Sequence, residues 1–244
     1  MVTTTTAAGA FALGLAAVHV LAGRLGRLDP ASRRATVSFA GGVSVAYVFA
    51  LLLPEVNRAV LEAVESGSTV GSFFRRDVHV YLVVLLGFVV FYGVHALVAT
   101  SNRDAEASDA ATPVFVAHVV AFTGYNALVG YLLFHQEGPG LLELSFYAVA
   151  LGMHFLVVDA SFRRHHGTAY DRLGRWILAG AVLAGAAVGA VTPIDEATLS
   201  VLFAFLAGSV VFNSIREELP EPGRIRYLAF LVGTGVYSAV LLFA

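Results

Sequence analysis

Cysteine is absent from the 244-residue chain. That excludes disulfides and thiolate ligands, so any metal the protein handles must meet His, Asn and carboxylate groups. Lysine is absent too, which excludes a retinal-type Schiff base and leaves Arg as the only strong cation. Charge of either sign is scarce, at 13% of residues with 58% hydrophobic, against about 25% and 45–50% in an average soluble domain. So few charges cannot cover the surface of a water-soluble globule of this size, and the bilayer is the solvent that suits the composition. A net charge of −2 gives no electrostatic footprint for nucleic acid.

What the chain has instead is a series of apolar runs of about 20 residues, each long enough to cross a hydrocarbon core roughly 30 Å thick. They lie near 5–23, 35–54, 78–100, 113–134, 141–161, 173–192, 197–216 and 226–243, separated by clusters of charge, Gly and Pro. Each must be helical, because an unpaired backbone group in hydrocarbon costs several kcal/mol. The first run has no basic residues before it, and Arg24, Arg27, Arg33 and Arg34 follow it. That order predicts a retained span with its N-terminus outside.

Alternate connections fall on alternate sides of the membrane. One side collects Arg24, Arg27, Arg33, Arg34, Arg103, Arg163, Arg164, Arg172, Arg175, Arg216, Arg224 and Arg226; the other holds only Arg58, Arg75 and Arg76. This asymmetry assigns the first group to the cytoplasm and both termini to the outside. The polar stretch SNRDAEASDAATP after the third run reads as a solvated linker. The absence of Lys and the Ala-, Val- and Asp-rich loops suggest a GC-rich prokaryotic source, and with it the cell membrane as location.

A repeat runs through the pattern. FAGGVSVAYVFALLLPE (Phe39 to Glu55) and FLAGSVVFNSIREELPE (Phe205 to Glu221) align without gaps. They share Phe39/Phe205, Gly42/Gly208, Val45/Val211, Leu53/Leu219, Pro54/Pro220 and Glu55/Glu221. The two frames fall in the second and seventh runs, which are an odd number of crossings apart and so run in opposite directions. That is an inverted repeat, the plan on which many transporters are built, with the site near the midplane between the halves. Pro54 and Pro220 read as helix stops. Glu217 and Glu218 stand at the cytoplasmic end of the seventh run, with Arg216 or a cation as partner.

Polar groups within apolar runs concentrate in the fourth and fifth. His118, Thr123, Tyr125 and Asn126 lie in FVAHVVAFTGYNALVGYLLF, and His154 and Asp159 in SFYAVALGMHFLVVDASF. If the two helices are antiparallel neighbours, Asn126 and His154 share one depth, and His118 and Asp159 a second. An Asn or His in a membrane helix commonly makes an interhelical hydrogen bond. Asp159 needs a partner, for which His118, His154 and Arg163 are placed. Imidazole, amide and carboxylate together also suit a divalent cation.

On these residues the chain resembles the ZIP family of divalent-metal transporters. The first frame is similar to the family's second span, with Leu51 where the family has His; the second frame is similar to its seventh span, and GRIRYLAFLVGTGVYSAVLL to its last. The resemblance implies an all-α membrane bundle of eight transmembrane helices in a 3+2+3 plan, within a single domain over 1–244. Residues 1–100 and 173–243 would form the two repeats, and 113–161 the central pair that carries the metal. The family's fourth-span His-Asn signature falls on Tyr125, Asn126, Val129 and Gly130, and its fifth-span signature on His154, Phe155, Val157, Val158 and Asp159. A bridging carboxylate is replaced by Val129.

The expected metal ligands are therefore Asn126, His154, Asp159, His118 and Glu217, with Asp159 and Glu217 forming the exit and Tyr125, Asn213 and Glu218 along the pathway. Zinc or a similar divalent cation is the expected substrate, and the lipid bilayer the expected surrounding. The small-residue stretch AGAVLAGAAVGA permits packing within a protomer or in a homodimer. A transport-inactive scaffold or sensor with this fold is the alternative. An enzyme is not expected: no His stands four residues from an acid, as a zinc-hydrolase helix would require.

Overall fold

In the computed structural model, residues 4–65, 77–101, 113–135, 140–218 and 226–243 are described. Among them helix is the one kind of regular structure, and six helical stretches are long and apolar enough to cross a membrane. The described α-helices are α1 (Thr4–Leu21), α2 (Pro30–Tyr47), α3 (Leu53–Glu65), α4 (Asp77–Ser101), α5 (Pro113–Leu132), α6 (Leu141–Ala169), α7 (Arg175–Gly189), α8 (Glu196–Asn213) and α9 (Tyr227–Phe243). Two start signals are explicit. Asp29 caps α2, its carboxylate accepting from the amides of Ala31 and Ser32 with Pro30 in the first turn, and Asp195 caps α8 through the Thr198 amide. Both exposed carboxyls are held below the usual range, chiefly by hydrogen bonds from Ser32 and Thr198 respectively.

Among the described residues three π turns adjoin the helices, at Val48–Leu52, Tyr170–Gly174 and Ser214–Glu218. The first corrects the expectation that Pro54 stops the second span. The chain runs helically through it into α3. Pro lacks an N–H and clashes with the carbonyl four residues back, and the turn just before it is widened, with the Leu53 amide donating to the Val48 carbonyl. A π turn absorbs the lost bond without ending the helix. Leu219, Pro220 and Glu221 lie outside the described residues.

Helical structure is continuous from Leu141 to Gly189, yet this is not one rod. Gly167 has φ 46° and ψ −120°, a conformation open to glycine and strained for any side chain. Beyond it the chain doubles back, since Tyr170 donates to the Asp159 carboxylate and Arg163 Nε donates to Asp171 Oδ1 at 2.8 Å. Residues 159 and 170 would be roughly 16 Å apart along a straight helix at 1.5 Å per residue.

The helices sort into two groups. One contains α1, α5, α6 and α7, with α5 packed on α7 and α1 on both α6 and α7. The other contains α2, α3, α4, α8 and α9, with α2 on α9 and α4 on α8. Within each group, glycines let backbones touch. A Cβ on Gly42 would strike the Phe230 carbonyl and one on Gly233 the Phe39 carbonyl; a Cβ on Gly208 would strike the Val84 carbonyl and one on Gly87 the Phe205 carbonyl. The first and fourth residues of both repeated frames thus do the same work. In the other group Gly130 meets the Val182 carbonyl and Gly185 the Ala127 carbonyl, so the small-residue stretch of α7 packs within the protomer.

The groups are joined where α2 packs along α6 and α4 meets α5, and larger side chains add to that seam. Phe91 meets Phe122 and Tyr125, Tyr47 meets Tyr147, and the Tyr237 hydroxyl donates to the Phe146 carbonyl.

Gly208→Ala places a methyl against backbone that cannot yield, so folding should suffer by at least the 1–3 kcal/mol of ordinary overpacking. The matched control is Gly180→Ala, whose Cβ would meet nothing within 4 Å. Thermal melts in detergent should show a large loss for the first and none for the second; equal melting points would refute the close approach.

Candidate functional site

At the centre of the α1, α5, α6, α7 group lies a polar network that no water reaches. His19, Asn126, Asp159 and Tyr170 each have 0% exposure. His19 comes from the last turn of α1, Asn126 from α5, Asp159 from α6 and Tyr170 from the π turn behind the Gly167 reversal. His19 Nδ1 is 2.9 Å from Asp159 Oδ1 and its Nε2 is 2.7 Å from Asn126 Oδ1.

The hydrogen positions follow from the partners. The Asn126 amide nitrogen donates to the Phe122 carbonyl at 2.7 Å, so its oxygen faces His19 and the imidazole Nε2 must carry a proton. Asp159 Oδ1 already accepts from the Tyr170 hydroxyl. One further proton lies between His19 Nδ1 and Asp159, and the pair as a whole is neutral. That neutrality lets two ionisable groups sit in an apolar bundle where an isolated charge would not persist. Asp159 Oδ2 has no hydrogen-bond partner among the described residues.

This arrangement departs from the expected one. Asp159 is paired with His19 and Tyr170, not with His118, His154 or Arg163. Arg163 instead lies over the Tyr170 ring, 5.2 Å from its centre, and bonds Asp171. Asn126 and Asp159 do come together, but through the ring of His19 between them.

His154, also fully buried, faces the other helix group, with Nδ1 3.2 Å from the Ser44 hydroxyl, itself 3.4 Å from that of Ser214 in the third π turn. The Tyr125 ring lies 5.9 Å from that of His154. His118 Nδ1 is 2.9 Å from His166 Nε2. Asn213 is buried beside a small cleft between α4, α5, α6 and α8 that His95, His118 and Ser161 also line. Glu217 and Glu218 belong to the third π turn, and their side chains lie outside the described residues; Arg216 donates from Nε to His95 Nε2 at 2.8 Å. Among the described residues no three His, Asp or Glu groups converge as a metal-ligand set.

Two members of the network escaped the reading of the sequence. His19 had a signal, because it is the only titratable side chain in the first apolar run, and an intramembrane ionisable group needs a named partner. Tyr170 had none, since it follows an Arg- and His-rich stretch and enters the core only through the Gly167 reversal. No protein-family model matches the chain, and no curated protein matches it.

Removing one member of a buried pair strands the other, at a cost of about 3–5 kcal/mol. His19→Ala should therefore destabilise the protein by that order, and Asp159→Asn combined with His19→Ala by less than the sum of the two single changes. Melting points of the four proteins in one detergent supply the cycle; additive losses would show that the pair is not coupled.

Proposed function

We propose that the protein is a multi-pass membrane transporter of ZIP-like plan that moves a divalent cation toward the cytoplasm. Its eight spans would place both termini outside and the Arg-rich connections in the cytoplasm of a prokaryotic cell, with the cell membrane as its location. In this reading the Leu141–Gly189 stretch supplies the fifth and sixth spans and α9 the eighth. One observation carries it: the two repeated frames use the same residues for backbone packing and widen into a π turn at the same register, Val48–Leu52 and Ser214–Glu218. Matched breaks in two oppositely directed helices are the usual construction of a transport site. Rocking of one group against the other would take place along the α2–α6 seam, with the glycine contacts inside each group kept.

The cargo would meet Asn126, Asp159 and His154, and leave past His118 and the cleft toward Glu217. His19 now fills the space between Asn126 and Asp159, so an ion can reach both only when the ring gives way. That same observation favours a second reading, a scaffold or sensor in which His19 has permanently replaced the ion.

Proteoliposome uptake across zinc, manganese, iron, cobalt and cadmium separates the two. The transporter reading expects uptake of at least one ion, reduced about tenfold or more by Asp159→Asn in protein that still melts cooperatively. If folded wild-type protein takes up none of them, the transporter reading fails and the scaffold reading stands.

A further inference from the structure

We infer that His118, which lines the cleft between α4, α5, α6 and α8, and His166 beside it form a bis-histidine site for a divalent transition-metal ion. His118 projects from α5 and His166 from the end of α6, one residue before the Gly167 reversal. Their facing nitrogens are 2.9 Å apart. Two imidazoles bound to one tetrahedral zinc at about 2.0–2.1 Å have their nitrogens roughly 3.3 Å from each other. An opening of a few tenths of an ångström, with a turn of the rings that brings both lone pairs to one point beside the line joining the nitrogens, converts the hydrogen-bonded pair into a ligand pair.

The rings are held in that attitude by packing. His118 stacks on Phe162 with centroids 4.1 Å apart and planes at 24°, and Phe115 meets His166 edge-on at 5.2 Å. His118 is nearly buried and His166 half-buried, which leaves a way in. The neighbouring histidines are committed elsewhere: His165 Nδ1 lies 2.9 Å from the Ser161 carbonyl, and His95 Nε2 accepts from Arg216.

The donor set decides the class of ion. No carboxylate lines the cleft among the described residues, so hard magnesium or calcium has nothing to bind, whereas neutral imidazole suits zinc, cobalt, nickel or copper(II). Water would complete the coordination. Asn213, whose amide nitrogen is buried without a hydrogen-bond partner among the described residues, lines the same cleft and has a free donor for a metal-bound oxygen.

The site rests on this geometry and not on the transport reading. The test is titration of purified full-length protein in detergent with cobalt(II), followed by its visible absorption, with zinc competition and magnesium as the control ion. Expected is one saturable cobalt site displaced by zinc and indifferent to magnesium. It should be weakened about tenfold or more by His118→Asn and by His166→Asn, and unchanged by His135→Asn, whose ring bonds the Tyr131 and Thr192 carbonyls elsewhere. Absence of saturable binding, or binding that survives both substitutions, overturns the assignment. Should His118→Asn fail to fold, the half-buried His166 carries the comparison alone. Binding without any uptake in proteoliposomes would retain this site and reject transport; uptake without it would do the reverse.

Discussion

The burial of Asp159 is the constraint from which the rest of this half of the molecule follows. A carboxylate with no exposure in an apolar bundle has to be neutralised and hydrogen-bonded where it stands, because the medium supplies neither. The partners come from three separate places in the chain: His19 at the end of α1, Asn126 behind it on α5, and Tyr170 beyond a reversal that only Gly167 permits. One acid therefore ties α1, α5, α6 and the α6–α7 turn into a unit. The Arg163 guanidinium over Tyr170, bonded to half-exposed Asp171, continues the network to the surface.

The other half is held by different means. No buried ion pair occurs among its described residues; instead backbone lies on backbone at Gly42, Gly233, Gly87 and Gly208. In lipid, where tails are as apolar as side chains, close approach and dispersion replace the hydrophobic effect as the source of helix association. The contrast has a mechanical side. Carbonyl-to-glycine contacts admit no sliding, while the aromatic edges and the Ser44, His154 and Ser214 hydrogen bonds between the halves can exchange partners over small displacements.

Apolar length was legible in the sequence because hydropathy over 20 residues is a strong signal. The repeat was legible because Gly42 and Gly208 are required by the same backbone approach. Pro54 misled, since the stop signal is read from one residue and the widened turn that rescues it depends on the five before it. The polar site was half legible. Asn126 and Asp159 were identified as candidates because polarity in a membrane helix is conspicuous, but their common partner was not, since nothing in spacing along α5 and α6 reports what α1 inserts between them. Side-chain pairing across helices distant in sequence, 107 and 140 residues for the two His19 bonds, is tertiary information.

The identity of that partner bears on the resemblance to metal transporters. The position where the resemblance implies a bridging acid holds Val129, which is fully buried and contributes only its carbonyl, to the Tyr147 hydroxyl at 3.2 Å. Against the pattern that the resemblance implies, one acid is missing, and the His19 imidazole stands between Asn126 and Asp159. The two changes work in the same direction: a site poor in carboxylate would hold a divalent ion weakly, and an imidazole supplied by the chain neutralises the last acid without any ion. Within the network of His19, Asn126, Asp159 and Tyr170, every side-chain polar atom except Asp159 Oδ2 has a hydrogen-bond partner among the described residues. An ion drawn to that oxygen would compete with a tethered group whose effective concentration is high, so selectivity here would depend less on ligand count than on how easily α1 withdraws His19.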